Sequence, residues 1–124
     1  MIVNGYGRLR AVTATLLPMR ERGVCSTPRR RLRGERVEAL TDLFKALSDP
    51  TRIEIIAILR DADEPVCICD LETTFELSQP TLSHHMARLR EAGLLDTGKQ
   101  GIWCYYSLRR DLPAQVKRVI EAIV

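Results

Sequence analysis

No apolar run among the 124 residues approaches the length of a membrane-spanning helix, so no membrane partner is expected. The opening segment is rich in Arg and poor in acids, but it has little Ser and no clear processing site, so a targeting role is not expected. Four cysteines without a secretory signal, two of them one residue apart, make a poor disulfide scaffold. They point to a reducing, cytoplasmic setting with thiols free to bind metal or react. A thiol redox enzyme is a remote alternative, because Cys67 and Cys69 do not form Cys-x-x-Cys and no βαβ pattern surrounds them. The expectation is therefore a protein that is no enzyme and carries no organic cofactor. Histidine is confined to the neighbours His84 and His85.

Negative charge is nearly missing from residues 1–34, where eight Arg face Glu21 alone, a local charge of +7. The whole chain carries +3, so residues 35–124 sum to −4. Attraction to a polyanion must then come from local patches and from the first segment rather than from the net field. Two parts are expected: a flexible basic arm over 1–34, with an apolar patch around Val12 to Leu17 and the run Pro28 to Gly34, and a folded domain over 35–124. Met19 is a possible alternative start.

What is present centres on Leu77 to Gly93. Ser78 can cap a helix there, Pro80 suits its first turn and Gly93 its left-handed end. Leu82, Met86 and Leu89 form one apolar stripe. Gln79, Thr81, Ser83, His84 and Arg88 make a polar and cationic face suited to phosphates and base edges. A plain solvated face has the same composition, so the neighbouring elements decide. A first helix from Glu35 places Val37, Leu40, Phe44 and Leu47 on one side. Asp49 and Pro50 start a second, apolar nearly all round through Ile53, Ile55, Ile56, Ile58 and Leu59. A third, from about Cys69 to Phe75, is separated from Ser78 only by Glu76 and Leu77, which gives a helix-turn-helix.

Two strands follow, around a tip at Gly98-Lys99-Gln100-Gly101, and read as a wing. Alternation puts Cys104, Tyr106 and Leu108 on one face of the second strand and Trp103 and Tyr105 on the other. A last helix from about Asp111 to Val124 has a wide apolar stripe, which with the first helix suggests a dimer interface. The fold expected is mainly α with a small β-hairpin, a homodimeric winged helix-turn-helix. It would read operator DNA, an inverted repeat, through Ser78, Gln79, Thr81, Ser83 and His84, with Arg88 and Lys99 on phosphates.

The segments Phe44 to Arg52, Cys67-Ile68-Cys69-Asp70-Leu71, Ser78 to His85 and Gly101 to Leu108 together resemble the ArsR/SmtB family of metal-sensing repressors. The resemblance spans about residues 36–120. It implies a winged-helix homodimer that sits on its operator when metal-free and leaves when a metal or metalloid binds. Arsenic-responsive members carry Cys-x-Cys-Asp-Leu-Cys, and here the third position is Glu72. A carboxylate is a hard donor and a poor substitute on trivalent arsenic.

The sensing pair is then Cys67 and Cys69. Pro65 keeps Cys67 out of the third helix, so a turn can converge both sulfurs, and the helix N-terminus favours thiolate. The expected inducer is trivalent arsenic or another thiophilic ion; mercury, cadmium, lead or thiol oxidation are the alternatives. Cys25 is expected to supply a third sulfur from the arm, with Cys104 as the alternative. The last-helix zinc site of other members is not expected, since Asp111 and Glu121 have no histidine beside them. A winged helix used only for protein contacts is a further alternative.

Overall fold

The computed structural model describes residues 17–19, 21–25 and 31–124. The chain divides into two units between Arg31 and Leu32, and the second unit holds every helix and strand among the described residues. Most of the apolar patch expected near Val12, and residues 28–30 of the arginine run, lie outside the described residues. Met19 is exposed.

The second unit runs α1 (Gly34–Ala46), α2 (Pro50–Asp61), β1 (Val66–Cys67), α3 (Ile68–Phe75), α4 (Gln79–Glu91), β2 (Leu95–Gln100), β3 (Trp103–Leu108) and α5 (Ala114–Glu121). This is a winged helix-turn-helix. The most deeply buried large side chains are Leu43, Ile55, Ile56, Leu71, Leu82, Met86 and Leu89, so α4 supplies three of the seven. Fully burying one such side chain stabilises by about 1.5–3 kcal/mol, which anchors α4 by its stripe and leaves its other sides in water.

The ends of α4 follow the local chemistry. Ser78 Oγ accepts from Thr81 N–H, and Pro80 lies in the first turn, where its missing donor costs nothing. At the far end Gly93 has φ 77°, its N–H donates to Arg90 and that of Leu94 to Leu89, a Schellman closure. The turn between α3 and α4 is tight because Glu76 adopts a left-handed φ of 54° and donates its N–H to Glu72 O. At α2, Asp49 Oδ2 accepts from Arg52 N–H at 3.1 Å beside Pro50. No helix among the described residues is long and apolar enough to cross a membrane.

Several boundaries and faces differ from the sequence expectation. In α1 the buried side chains are Leu43 and Ala46, with Leu47 just beyond, whereas Val37 and Phe44 are exposed, Phe44 at 54%. Leu43 and Ala46 lie three apart on a face rotated from the one expected, in the core cluster that also holds Val116 and Ile120 of α5. Ile53 is exposed at the start of α2, so that helix is buried on one side rather than nearly all round. α3 begins at Ile68, one residue early, and α5 spans only Ala114–Glu121, with Pro113 at its cap.

The expected hairpin is part of a three-stranded antiparallel sheet in the order β1-β3-β2. β1 is two residues long: Val66 lies opposite Tyr106 and Cys67 opposite Tyr105. β2 continues through Lys99 and Gln100, and the turn is Gly101-Ile102, with Gly101 at φ 62°. Lys99 therefore sits within the wing strand opposite Cys104, not at the tip.

Candidate functional site

Cys67 combines two roles in one residue. It is the last residue of β1, held by its pairing with β3, and it is the N-cap of α3. Its N–H donates to Asp70 Oδ2 at 3.1 Å, and its sulfur takes the N–H of Asp70, so a cysteine stands in a capping box usually built on Ser or Thr. This turn swings Cys69 back: its thiol donates to the Cys67 sulfur with 2.8 Å between the two. Cys67 is buried and Cys69 half-buried.

The hydrogen bond to Cys67, burial, and the negative charges of Cys67 and Asp70 hold the Cys69 thiol above its ordinary range, while the Asp70 N–H works the other way. The helix N-terminus was expected to favour thiolate; at Cys69 the neighbouring sulfur and carboxylate outweigh it.

A cleft of about 740 Å³ opens beside the pair, lined among others by Pro65, Cys67, Cys69, Lys99, Trp103 and Tyr105. Tyr105 faces Cys67 across the β1–β3 pairing, and Trp103, two residues away, shares its face of the sheet. Cys104 takes the opposite face with Tyr106, whose hydroxyl is pushed up to about 12 by burial first and then by its hydrogen bond to Cys104. Cys104 is thus not brought to the pair. Cys25 is exposed and lies in the first unit. Among the described residues, no three His, Cys, Asp or Glu side chains converge as a metal site. Two adjacent thiols suit one soft ion, and they leave a three-sulfur preference one donor short.

The DNA-facing candidates fall on two flanks of α4 rather than on one face. Ser83 lines a hollow with Ala87, Arg90 and Tyr106, on the wing side. His84 and Arg88 line another with Lys45 and Arg52, on the α1 side, and Arg88 also approaches Glu91 at 3.7 Å. Gln79 and Thr81 are exposed on the first turn, where a recognition helix meets base edges. The Ser78 hydroxyl is engaged with Thr81 as the cap. Arg90, Lys45 and Arg52 are cationic neighbours missed in the sequence. Arg90 lies eleven residues after Gln79, three helical turns on and nearly on the same line, which was the available signal.

His85 is packed, half-buried between α2 and α4. Arg52 Nη1 lies 3.4 Å from His85 Nδ1, and Asp49 Oδ2 lies 3.8 Å from that nitrogen. Arg52 Nε also donates to Ala46 O at 2.6 Å, so one guanidinium ties the end of α1 to the start of α2 and the middle of α4.

Residues 49–97 match the family described as "Bacterial regulatory protein, arsR family". Over 79 residues the chain is 46% identical to the arsenical resistance operon repressor of Escherichia coli (strain K12), covering 64% of this chain and 67% of that protein. The chain belongs to the ArsR family. The arsenical resistance operon repressor of Staphylococcus xylosus is 38% identical over 84 residues, 68% of this chain and 79% of the relative. Among solved structures, HlyU from Vibrio cholerae N16961 superposes with a TM-score of 0.61 at 31% identity, covering 72% of this chain and 91% of HlyU. ArsR proteins are transcriptional regulators, and the helix-turn-helix of α3 and α4 is the DNA-binding motif that membership implies.

Proposed function

We propose that this protein is an arsenic-responsive transcriptional repressor of the cytoplasm, which binds operator DNA as a homodimer and leaves it when trivalent arsenic binds Cys67 and Cys69. The observation that carries the proposal is the 2.8 Å approach of the two sulfurs at the start of α3. Relatives named as arsenical resistance operon repressors support arsenic as the inducer. Cys25 is the third sulfur for inorganic arsenite, brought from the basic segment of one protomer or the other. Ten residues of extended chain span up to about 33 Å, enough reach from Cys25 to Glu35.

Dimerisation explains an otherwise costly surface. Val37 and Phe44 of α1 are exposed, as is Val124 after α5, which packs against α1. A two-fold pairing through this side would bury them and set two copies of α4 one or more DNA turns apart, each turn about 34–36 Å. Gln79, Thr81, Ser83 and His84 read base edges, while Arg88, Lys99 and the arginines of residues 1–34 hold phosphates.

Ligand at the cysteines acts on two DNA-facing parts at once. Cys67 is joined to the wing through β3 and to α4 through α3. A hundredfold loss of operator affinity requires the ligand to prefer the released form by roughly 2.7 kcal/mol, a modest demand on thiolate coordination. Fluorescence anisotropy of labelled operator, titrated with arsenite, tests this. Release from the wild-type protein and retention by Cys67→Ser and Cys69→Ser is the expected result; release from both variants would place the sensor elsewhere.

A further inference from the structure

Cys67 and Cys69 leave trivalent arsenic one bond short, and two aromatic rings, Trp103 and Tyr105, line the cleft beside them. Tyr105 stands opposite Cys67 and Trp103 follows on the same face, half-exposed at 50%. Pro65 lines the cleft as well, together with the polar Glu64, Asp70, Lys99 and Gln100. Gly98, opposite Tyr105 in β2, presents no side chain to that face, and a Cβ built there meets nothing within 4 Å. The result is an open aromatic berth next to two thiols, at a volume typical of small-molecule sites.

We infer that this cleft takes the carbon substituent of a monosubstituted trivalent organoarsenical, R–As(OH)₂, whose arsenic is held by Cys67 and Cys69 alone while Trp103 and Tyr105 cover R. The inference rests on Cys67 and Cys69 being the sensing pair. At each sulfur an S–H and an As–O bond break, an As–S bond forms and water leaves. Two waters are released in all; arsenic stays trivalent and its carbon bond is untouched. The third valence arrives with the ligand, so Cys25 is not needed, and the neutral adduct places its carbon substituent, rather than a hydroxyl, against the two aromatic rings.

Trp103 is the sole tryptophan, so its emission reports the cleft directly. Phenylarsonous acid and arsenite are each titrated into the full chain, with tryptophan emission, native mass spectrometry and operator release read in parallel. Phenylarsonous acid should shift Trp103 emission in wild type and in Cys25→Ser alike, with one adduct per chain at the mass of the acid less two waters. Gly98→Val and Trp103→Ala should weaken phenylarsonous acid by on the order of tenfold and arsenite by less than about twofold, with operator binding confirming that each variant is folded. Loss of phenylarsonous acid binding in Cys25→Ser, or equal effects of Gly98→Val and Trp103→Ala on both compounds, would overturn the inference while leaving the sensing pair intact. Binding of both compounds by Cys67→Ser and Cys69→Ser would overturn the sensing pair itself.

Discussion

Cys67 lies opposite Tyr105 at the edge of the sheet and, as the N-cap of α3, turns the chain from the wing into the helix-turn-helix. One residue thus joins the sheet of the wing to the helix-turn-helix, and a ligand on its sulfur sits where a shift would reach both. Substitution by Ser separates the two roles. Ser is among the best N-cap residues, so Cys67→Ser should leave thermal stability unchanged or raised by a few tenths to about 1 kcal/mol. Operator affinity should stay within about twofold, and arsenite should no longer release the DNA. A Cys67→Ser protein that unfolds in calorimetry would show the sulfur to be structural.

For the DNA interface the expected signatures differ by residue. Gln79 is exposed on the first turn of α4, so Gln79→Ala should cost on the order of 1–3 kcal/mol at one base position per half-site and relax selectivity there. Lys99 is exposed in β2, so Lys99→Ala should weaken all sequences evenly and lower the salt slope by about one per contact. Binding isotherms at several salt concentrations on native and base-substituted operators distinguish the two. A double variant that footprints its operator with native affinity and selectivity would sink the assignment of both.

How far the sequence carried these conclusions depended on how local each feature is. The ends and stripe of α4 were legible because Ser78, Pro80, Gly93, Leu82, Met86 and Leu89 act within a few turns of one another. The exposed Phe44 was misread because Val37, Leu40 and Phe44 keep helical spacing just as Leu40, Leu43 and Leu47 do, and only tertiary packing chooses between two apolar faces of one helix. β1 was invisible: two residues carry no alternation, and their pairing with Tyr105 and Tyr106 is nearly forty positions distant. The sulfur convergence was expected from Pro65, yet the aromatic wall beside it was not, because it depends on that same distant pairing.

Arg109 closes the far end of the recognition helix. Its Nη1 donates to Gly93 O at 3.4 Å and its Nη2 to Asp111 Oδ2 at 2.8 Å, which holds the Asp111 carboxyl below its ordinary value near 3.8. A carboxyl depressed in the folded state contributes stability that is present above the unfolded value and lost as pH falls through the folded one. Acid titration of the native protein should therefore show a loss below about pH 3.8 that is missing in Asp111→Asn, with a small amplitude because the pair is exposed to solvent. Amide exchange at Gly93 and Leu94, in the helix end that the Arg109 side chain holds through Gly93 O, should quicken in Arg109→Ala. Identical acid profiles for native protein and Asp111→Asn would remove Asp111 from the account.

The third sulfur for inorganic arsenite is the remaining assignment, and the alternation of β3 bears on it. Trivalent arsenic prefers three sulfurs, and Glu72 offers a hard carboxylate at the position where the pattern that the chain resembles has its third cysteine. Cys104 shares the sheet face of Tyr106, away from Cys67, and reaching the pair would require turning β3 over and exposing Tyr106. Cys25 has no such obstacle, since it is exposed in a segment outside the winged helix. Arsenic X-ray absorption on the arsenite-loaded protein should find three sulfur neighbours in the native chain, two in Cys25→Ser and three in Cys104→Ser. Three sulfurs persisting in Cys25→Ser would exclude Cys25, and a fall to two only in Cys104→Ser would mean that the sheet rearranges when arsenic binds.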